Sequence, residues 1–400
     1  MNPSLELLKP YPFERLDELL TQIHPPSTLH PISLSMGEPN YSASEFITQK
    51  LKENIDLIQY YPCIKGIPEL RLTIAQWIIN RYKLEPASID PDSHILPING
   101  TREAIFALAQ AVVDPTRSDP LVIMSNPFYQ VYEGATIIAN ATPVFLAITS
   151  DNNFLPDFSR VPDEYWRNCQ LVYICTPGNP TGNVYNKHKF YELMTLSMKY
   201  DFVIASDECY SEIYHDESKP PIGLLEMAAD FGNNEYKNCI IFNSLSKRSN
   251  VPGLRSGFIA GDKKIIQAFL KYRTYHGCSM PLPTQYASIE CWKDEQHVIE
   301  NRNDYRKKFK EVLEILSPVL EVKQPEATFY LWLKTPYKDD EKFSQDLYRL
   351  QNITVLPGSY LSRVTGSKNP GQGYVRIALV ACLEDCIEAA IRIRAFVQSM

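Results

Sequence analysis

Cys239-Ile-Ile-Phe-Asn243-Ser-Leu-Ser-Lys247-Arg-Ser-Asn-Val-Pro-Gly-Leu-Arg255-Ser-Gly257 is the stretch on which the reading of this chain turns. Its first four residues are continuously apolar, the pattern of a short strand buried on both faces. The run then becomes polar, with two serines, a lysine and a Pro-Gly turn leading to an arginine. Hydroxyls, an amine and a guanidinium in the loop after a strand can hold a phosphorylated group. The same residues also read as a surface loop, because most lysines are solvated and Ser/Gly/Pro clusters are mostly turns. Recurrence of the pattern decides between the two.

It recurs. Ile95 to Ile98 passes into Asn99-Gly100-Thr101-Arg102-Glu103, and Ile105, Leu108, Ala109 and Val112 follow at helical spacing. The free N–H groups of that helix start can bind an anion, and Thr101 can equally be a plain N-cap; the residues leave the two even. Leu121 to Met124 ends in Ser125-Asn-Pro-Phe-Tyr129, with a helix over about 130 to 139 and a strand near 143 to 148. Leu171 to Cys175 ends in Thr176-Pro-Gly-Asn179-Pro-Thr-Gly182, and Phe202 to Ala205 in Ser206-Asp207-Glu208-Cys209-Tyr210. Ser256 to Gly261 adds another strand. Apolar strands alternating with helices predict an α/β fold with a mainly parallel sheet buried on both faces. Each of these polar clusters follows the carboxyl end of a strand, where open α/β sheets bind ligands.

Around this core the chain divides in three. Residues 1–45 are proline-punctuated, an arm with one short helix over Phe13 to Ile23 and a strand-like Ile32 to Ser35 that belongs with the small domain. Residues 46–300 form the large domain, in which Leu70, Ile74, Trp77 and Ile78 mark a helix. Thr284 to Ser317 lacks proline and reads as one long helix leaving it. Residues 301–400 form a small α+β domain with strands near 328–333, 353–356 and 373–380 and a closing helix from Leu383.

Bulk properties exclude several classes. A formal charge of -7 argues against a nucleic-acid binder, which needs a basic surface. Nine scattered cysteines without Cys-x-x-Cys read as reduced thiols. No apolar run reaches membrane-spanning length and the start lacks a signal-type apolar region, so the expectation is a cytoplasmic protein with no membrane partner. Seven scattered histidines support no metal site. Gly-x-Gly-x-x-Gly, the P-loop pattern and Gly-x-Ser-x-Gly are all missing, which disfavours a doubly wound oxidoreductase, a P-loop nucleotide site and a serine-hydrolase elbow.

A lysine in a phosphate-friendly loop, an aspartate at a strand end, an asparagine turn and neighbouring aromatics are the parts needed for pyridoxal 5'-phosphate. That cofactor takes an amine for its aldehyde, a carboxylate for its ring nitrogen, anion donors for its phosphate and a flat side chain for its ring. With five motifs in order, the chain resembles the class I/II aminotransferases of the large pyridoxal-phosphate fold (fold type I) over nearly its whole length. Within them it most resembles the bacterial N-succinyldiaminopimelate aminotransferases, at Pro10-Tyr-Pro-Phe-Glu-Arg-Leu16, Leu356-Pro-Gly-Ser-Tyr-Leu-Ser-Arg363 and Tyr374-Val-Arg-Ile-Ala-Leu-Val380. The second departs from the commoner Pro-Gly-x-x-Phe-Gly and weakens an aspartate- or aromatic-specific reading.

The resemblance implies roles. Lys247 holds the cofactor and moves the substrate proton, Asp207 keeps the ring nitrogen protonated, and Tyr210 and Asn179 bond the phenolic oxygen. Tyr129 stacks on the ring. Gly100, Thr101, Ser244, Ser246 and Arg255 take the phosphate; Arg102 shares their motif, with its side chain free to point elsewhere. Tyr61 reaches the phosphate of a second subunit, which implies a homodimer with shared active sites. Arg376 binds the substrate α-carboxylate, with Gly37 and Asn179 beside it, and Arg15 and Arg363 are candidates for charge near a succinyl carboxylate. Without the resemblance, Asp207 reads as a helix cap, Asn179 as a turn residue, Tyr129 as core and Arg376 as a surface arginine. The implied activity is transfer of the amino group between glutamate/2-oxoglutarate and N-succinyl-LL-2,6-diaminopimelate in lysine biosynthesis. An aspartate-, aromatic- or alanine-type aminotransferase or a pyridoxal-phosphate C–S lyase uses the same parts. A non-enzymatic ligand-sensing regulator on this fold is the alternative of another class; such proteins usually add a DNA-binding helix-turn-helix, for which the arm leaves no room.

Overall fold

The apolar runs become strands. The structure, a computed structural model, describes all residues 1–400. In chain order the strands are Ile32–Ser33 (β1), Ile95–Ile98 (β2), Leu121–Asn126 (β3), Thr142–Ala147 (β4), Cys169–Cys175 (β5), Val203–Asp207 (β6), Cys239–Ser244 (β7), Gly257–Gly261 (β8), Tyr330–Lys334 (β9), Ile353–Thr354 (β10), Leu356–Pro357 (β11) and Tyr374–Ala378 (β12). Seven of them form one sheet in the order β2-β8-β7-β6-β5-β3-β4. Neighbours from β7 to β4 pair in parallel, while β8 runs antiparallel to both β2 and β7. Six strands thus share one direction, as the mainly parallel α/β reading requires.

Alternation along the strands builds two cores. Ile123, Val172, Ile174, Ile204 and Ile241 enter one face with the helices Pro68–Tyr82, Lys187–Tyr200 and Leu282–Lys293. Val122, Leu171, Tyr173, Ala205 and Phe242 enter the other, under Thr101–Val112, Val131–Ile138 and Lys263–His276. Each fully buried large side chain contributes roughly 1.5–3 kcal/mol, so a one-residue slip of register, which exchanges the two faces, is strongly disfavoured.

The reversed β8 matters for function. Its first residue, Gly257, pairs with Ser244, the last of β7. Arg255 and Ser256 therefore emerge at the same edge as the carboxyl ends of the other six strands.

A second, antiparallel sheet has the order β11-β12-β9, and β1 pairs in parallel with β10. Ile32 and Leu34 pack there with Phe309, Leu331, Ile377 and Ile393 in a third core, so the N-terminal segment crosses over to the C-terminal one. Ahead of it, the arm helix covers Pro12–Leu20, shorter than Phe13 to Ile23; Pro12 opens it and the Glu14 carboxylate accepts from the Tyr11 N–H. None of the helices is long and apolar enough to cross a membrane.

One expectation is corrected. Thr284 to Ser317 is two helices, Leu282–Lys293 and Gln296–Leu316, not one. Asp294 is extended (φ -91, ψ 125), and its carboxylate accepts from the His297 N–H at 3.0 Å, capping the second helix. Glu295 accepts from Trp77 Nε1 and Arg248, so the break is fastened to the large sheet's helices. An Asp cap needs no proline, which is why counting breakers misses it.

Candidate active site

A cavity of about 340 Å³ opens where the strand ends of the large sheet face β12 and the arm. Gly37, Thr101, Arg102, Tyr129, Asn179 and Asp207 line it, and so do Tyr210, Ser244, Ser246, Lys247, Arg255 and Arg376. Residues read from separate motifs thus converge. Gly100 lies directly beneath, at the N-terminus of the helix Thr101–Val112.

The side expected to take the phosphate is built from backbone and hydroxyls. Ser244 Oγ accepts from the Ser246 N–H at 3.0 Å and contacts Ser246 Oγ at 3.0 Å, fixing the turn that carries Lys247. Arg255 Nη2 donates to both carboxylate oxygens of Glu103, at 2.9 and 2.7 Å. This pair lies across Gly100, whose φ of +95° suits glycine and whose missing β-carbon leaves room for the guanidinium.

Asp207 ends β6 and is 6% exposed. It accepts from Tyr132 Oη at 2.8 Å and the Cys209 N–H at 3.3 Å. Tyr132 is itself held flat against Tyr173, with centroids 4.8 Å apart. Burial pushes the Asp207 carboxyl up, and the bonds from Cys209 and Tyr132 and the charge of Lys247 draw it back. A buried acceptor so placed gains most from a charged N–H donor.

Lys247 lies in the single turn Leu245–Arg248, anchored by Asn301 Nδ2, which donates to the carbonyls of Lys247 and Arg248. Its Nζ donates to the Gly37 carbonyl. Burial lowers its pKa to about 8; the Arg376 and Arg102 guanidiniums push the same way, against Cys209 and Glu38. At pH 7 about one amine in ten is then neutral, against roughly one in 3,000 for an ordinary lysine. The difference makes it a usable nucleophile and base.

Arg376 on β12 is 4% exposed. Its Nη1 donates to Asn179 Oδ1 at 3.0 Å and its Nη2 to the Ser35 carbonyl at 2.7 Å, while its buried Nε has no partner. No carboxylate pairs with it. Arg102 is also free of carboxylates: Nε donates to Tyr129 Oη at 2.7 Å and Nη2 to Tyr11 Oη at 3.2 Å. Its guanidinium thus stands at the cavity's exposed side. The Tyr129 ring meets Tyr132 edge-on, with centroids 5.7 Å apart.

Two expectations fail here. Arg15 Nη2 pairs with Glu341 at 3.3 Å and stacks 3.6 Å over the Tyr360 ring. Arg363 grips Glu133 through Nε and Nη2, at 2.9 and 2.5 Å. Neither arginine lines the cavity, and each is held by its glutamate facing away from a succinyl group bound there. Tyr61 is fully exposed and stands apart from the cavity.

Other residues escaped the motif reading. Glu103, Tyr132, Tyr330 and Tyr11 each touch a motif residue. Tyr132 had a legible signal, lying three residues after Tyr129 at a helix start, and Glu103 follows Thr101 by two. Tyr11 lies in the quoted stretch Pro10 to Leu16, where no role was given to it, and Tyr330 is remote from every motif and left no signal.

The donor set fits pyridoxal phosphate. Hydroxyls, a helix start and a guanidinium suit its phosphate, a buried carboxylate its ring nitrogen, and a phenol and an amide its phenolic oxygen; a lysine of lowered pKa suits its aldehyde.

Comparison with known proteins agrees. Residues 30–392 match the family described as Aminotransferase class I and II. The LL-diaminopimelate aminotransferase of Halothermothrix orenii is 32% identical over 394 residues, covering 97% of this chain and 96% of that protein. A crystal structure of an aminotransferase from Neisseria meningitidis superposes with a TM-score of 0.95 at 46% identity, over 99% of both chains. The aminotransferase AspB of Helicobacter pylori gives 0.88 at 32% identity, over 98% of this chain and 99% of that one.

Proposed function

Because the chain belongs to the class I and II aminotransferases, which use pyridoxal phosphate, we propose that it transfers the amino group of glutamate to N-succinyl-2-amino-6-ketopimelate, giving N-succinyl-LL-2,6-diaminopimelate and 2-oxoglutarate. Aminotransferases act on amino and keto acids, so the family supplies the reaction class; the side chains must supply the choice of substrate. Four cations line the cavity: Arg102, Lys247, Arg255 and Arg376. Lys247 carries the chemistry, and Arg255, steadied by Glu103, is assigned to the phosphate. Two arginines without a carboxylate remain, and this observation carries the reading. Arg376 takes the α-carboxylate, and Arg102 at the mouth takes a second acidic group.

Glutamate and 2-oxoglutarate have one such group. The succinylated end of the larger substrate has two carboxylates and no ammonium, whereas the unmodified end of diaminopimelate is a neutral zwitterion. A cation at the mouth favours the former. Free LL-diaminopimelate is the second reading, suggested by the name of the Halothermothrix relative.

When bound, pyridoxal phosphate supplies an electron sink for the pair of electrons released at the substrate's Cα. Lys247 Nζ takes the Cα proton and returns one at the end of the transfer; a pKa near 8 lets it do both at neutral pH. Asp207 fixes a proton on the ring nitrogen, Tyr210 and Asn179 donate toward the phenolic oxygen, and Tyr129 covers the ring. Thr101, Ser244, Ser246 and Arg255 hold the phosphate. Arg376 orients the Cα–H bond by clamping the α-carboxylate.

Replacing Arg102 with leucine tests the assignment. It is expected to lower kcat/KM about 10- to 150-fold for glutamate and the succinylated substrate, the roughly 1.5–3 kcal/mol of a hydrogen bond to a charged group, and to leave alanine unchanged. Equal losses on all three amino acids would contradict a role in choosing the substrate. A panel including free diaminopimelate ranks the two readings.

We further propose a homodimer. Ile55, Ile58, Tyr60 and Tyr61 are 52%, 68%, 57% and 103% exposed, an apolar stretch that a second subunit covers while Tyr61 extends into that subunit's phosphate site. Sedimentation at twice the chain mass is the expected result, and a stable monomer would refute it.

A further inference from the structure

We propose that Tyr330 is a positioning residue that ties the cofactor side of the site to its substrate side. Its hydroxyl orients the phenol of Tyr210, and its ring supports the guanidinium of Arg376. The proposal rests on the pyridoxal-phosphate reading above.

Tyr330 opens β9 and is 2% exposed. Across the antiparallel register it pairs with Ala378, two residues along β12 from Arg376. Its hydroxyl stands 2.9 Å from that of Tyr210 and makes no other hydrogen bond. Its ring centre lies 4.5 Å from Arg376 Cζ and 5.5 Å from the Tyr210 ring, at 62° to it. The hydroxyl fills the space a β-carbon on residue 37 would take, so Gly37 is glycine partly to admit it. One side chain thus touches the phenol assigned to the cofactor, the arginine assigned to the substrate and the segment whose carbonyls receive Lys247 and Arg376.

The direction of the bond between the phenols follows from counting protons. Each hydroxyl has one. Once Tyr210 donates to an acceptor in the cavity, the bond between the two must be donated by Tyr330. A phenol that accepts a hydrogen bond is a stronger donor through its own O–H. Tyr330 therefore strengthens the donation of Tyr210 toward the cofactor's phenolic oxygen, and that donation favours the form carrying more negative charge there, in which the linked nitrogen of Lys247 has lost its proton.

The groups facing the two phenols are Arg376 from β12, Cys175 from β5, Tyr11 from the arm and Tyr305 from the helix Gln296–Leu316, with Lys247 and Asp207 lining the same cavity. Burial raises the Cys175 thiol and the Tyr305 phenol. Titration at the Lys247 nitrogen is therefore the event that the Tyr330 hydroxyl modulates.

The test uses the unmodified holoenzyme, Tyr330→Phe and Tyr330→Leu. The first readout is the pH midpoint of the visible absorbance of bound pyridoxal phosphate; the second is KM for glutamate. Tyr330→Phe loses the hydroxyl and keeps the ring, so the midpoint should rise by about 0.4 to 1 unit, the value of one hydrogen bond, with KM unchanged. Tyr330→Leu should show the same rise and add an increase in KM of about 3- to 30-fold, because the guanidinium loses its aromatic support. A Tyr330→Phe midpoint equal to that of the unmodified enzyme overturns the proposal, and this variant keeps the shape of the core. A KM for Tyr330→Leu no higher than for Tyr330→Phe overturns the ring's part in it. Failure of the unmodified protein to hold the cofactor at all would overturn the underlying reading, a result distinct from an unmoved midpoint.

Discussion

Lys247→Ala should lower turnover by at least about 10⁴-fold. Two losses combine: the amine that retains the cofactor, and the base that moves the Cα proton, worth roughly 10²–10⁴ alone. The substitution removes a part-buried side chain at the cavity floor, whereas the turn around it is fixed by Ser244 and by Asn301 on the backbone. The fold should therefore survive, as circular dichroism would show, while the visible absorbance of linked cofactor disappears. Capture of added pyridoxal phosphate by the cofactor-free protein should speed up with pH through about 8, where half the Lys247 amines are neutral, and level about one unit above. A lysine of ordinary pKa would keep gaining toward pH 10. Full activity in the alanine variant would remove Lys247 from the mechanism.

Asp207→Asn should cost about 10²- to 10⁴-fold in the proton-transfer step while leaving cofactor capture measurable. Asparagine keeps the shape and, with its one oxygen, can still accept from the Cys209 N–H, while the Tyr132 hydroxyl can turn to accept from the new amide N–H. It loses the negative charge. Breaking one side of a buried charge pair costs about 3–5 kcal/mol, and each 1.36 kcal/mol is a factor of ten in rate. Single-turnover kinetics with glutamate measures the step, and an unchanged rate would show that the carboxylate's charge is not used. Tyr132→Phe should give a much smaller loss, since it removes one neutral hydrogen bond, about 0.5–1.5 kcal/mol.

Much of this was legible in the chain because each motif sits where an apolar run stops. Ile240 to Phe242 and Leu171 to Ile174 have no polar interruption, so their strands and the loops after them could be located, and the convergence of Thr101, Asn179, Asp207 and Lys247 followed from a parallel sheet. Arg255 was located by its motif, but the reason it reaches the same edge is the reversal of β8, which periodicity does not reveal. Partners chosen by tertiary contact were illegible. That Arg15 and Arg363 are spent on Glu341 and Glu133, more than 200 residues away in each case, depends on how distant segments meet. The same holds for Tyr330, whose neighbours Gly37, Tyr210 and Arg376 come from three separate stretches. The break at Asp294 was hidden for a different reason: a side-chain cap ends a helix without any change in composition.

Mixing the holoenzyme with excess glutamate and no keto acid tests the central claim most directly. The account predicts release of about one 2-oxoglutarate per bound cofactor, with loss of the visible absorbance, after which the reaction stops; adding the N-succinylated keto acid should restore the absorbance and form the succinylated amino acid. Steady release of ammonia or keto product without an acceptor, or retained absorbance with no 2-oxoglutarate formed, would contradict it.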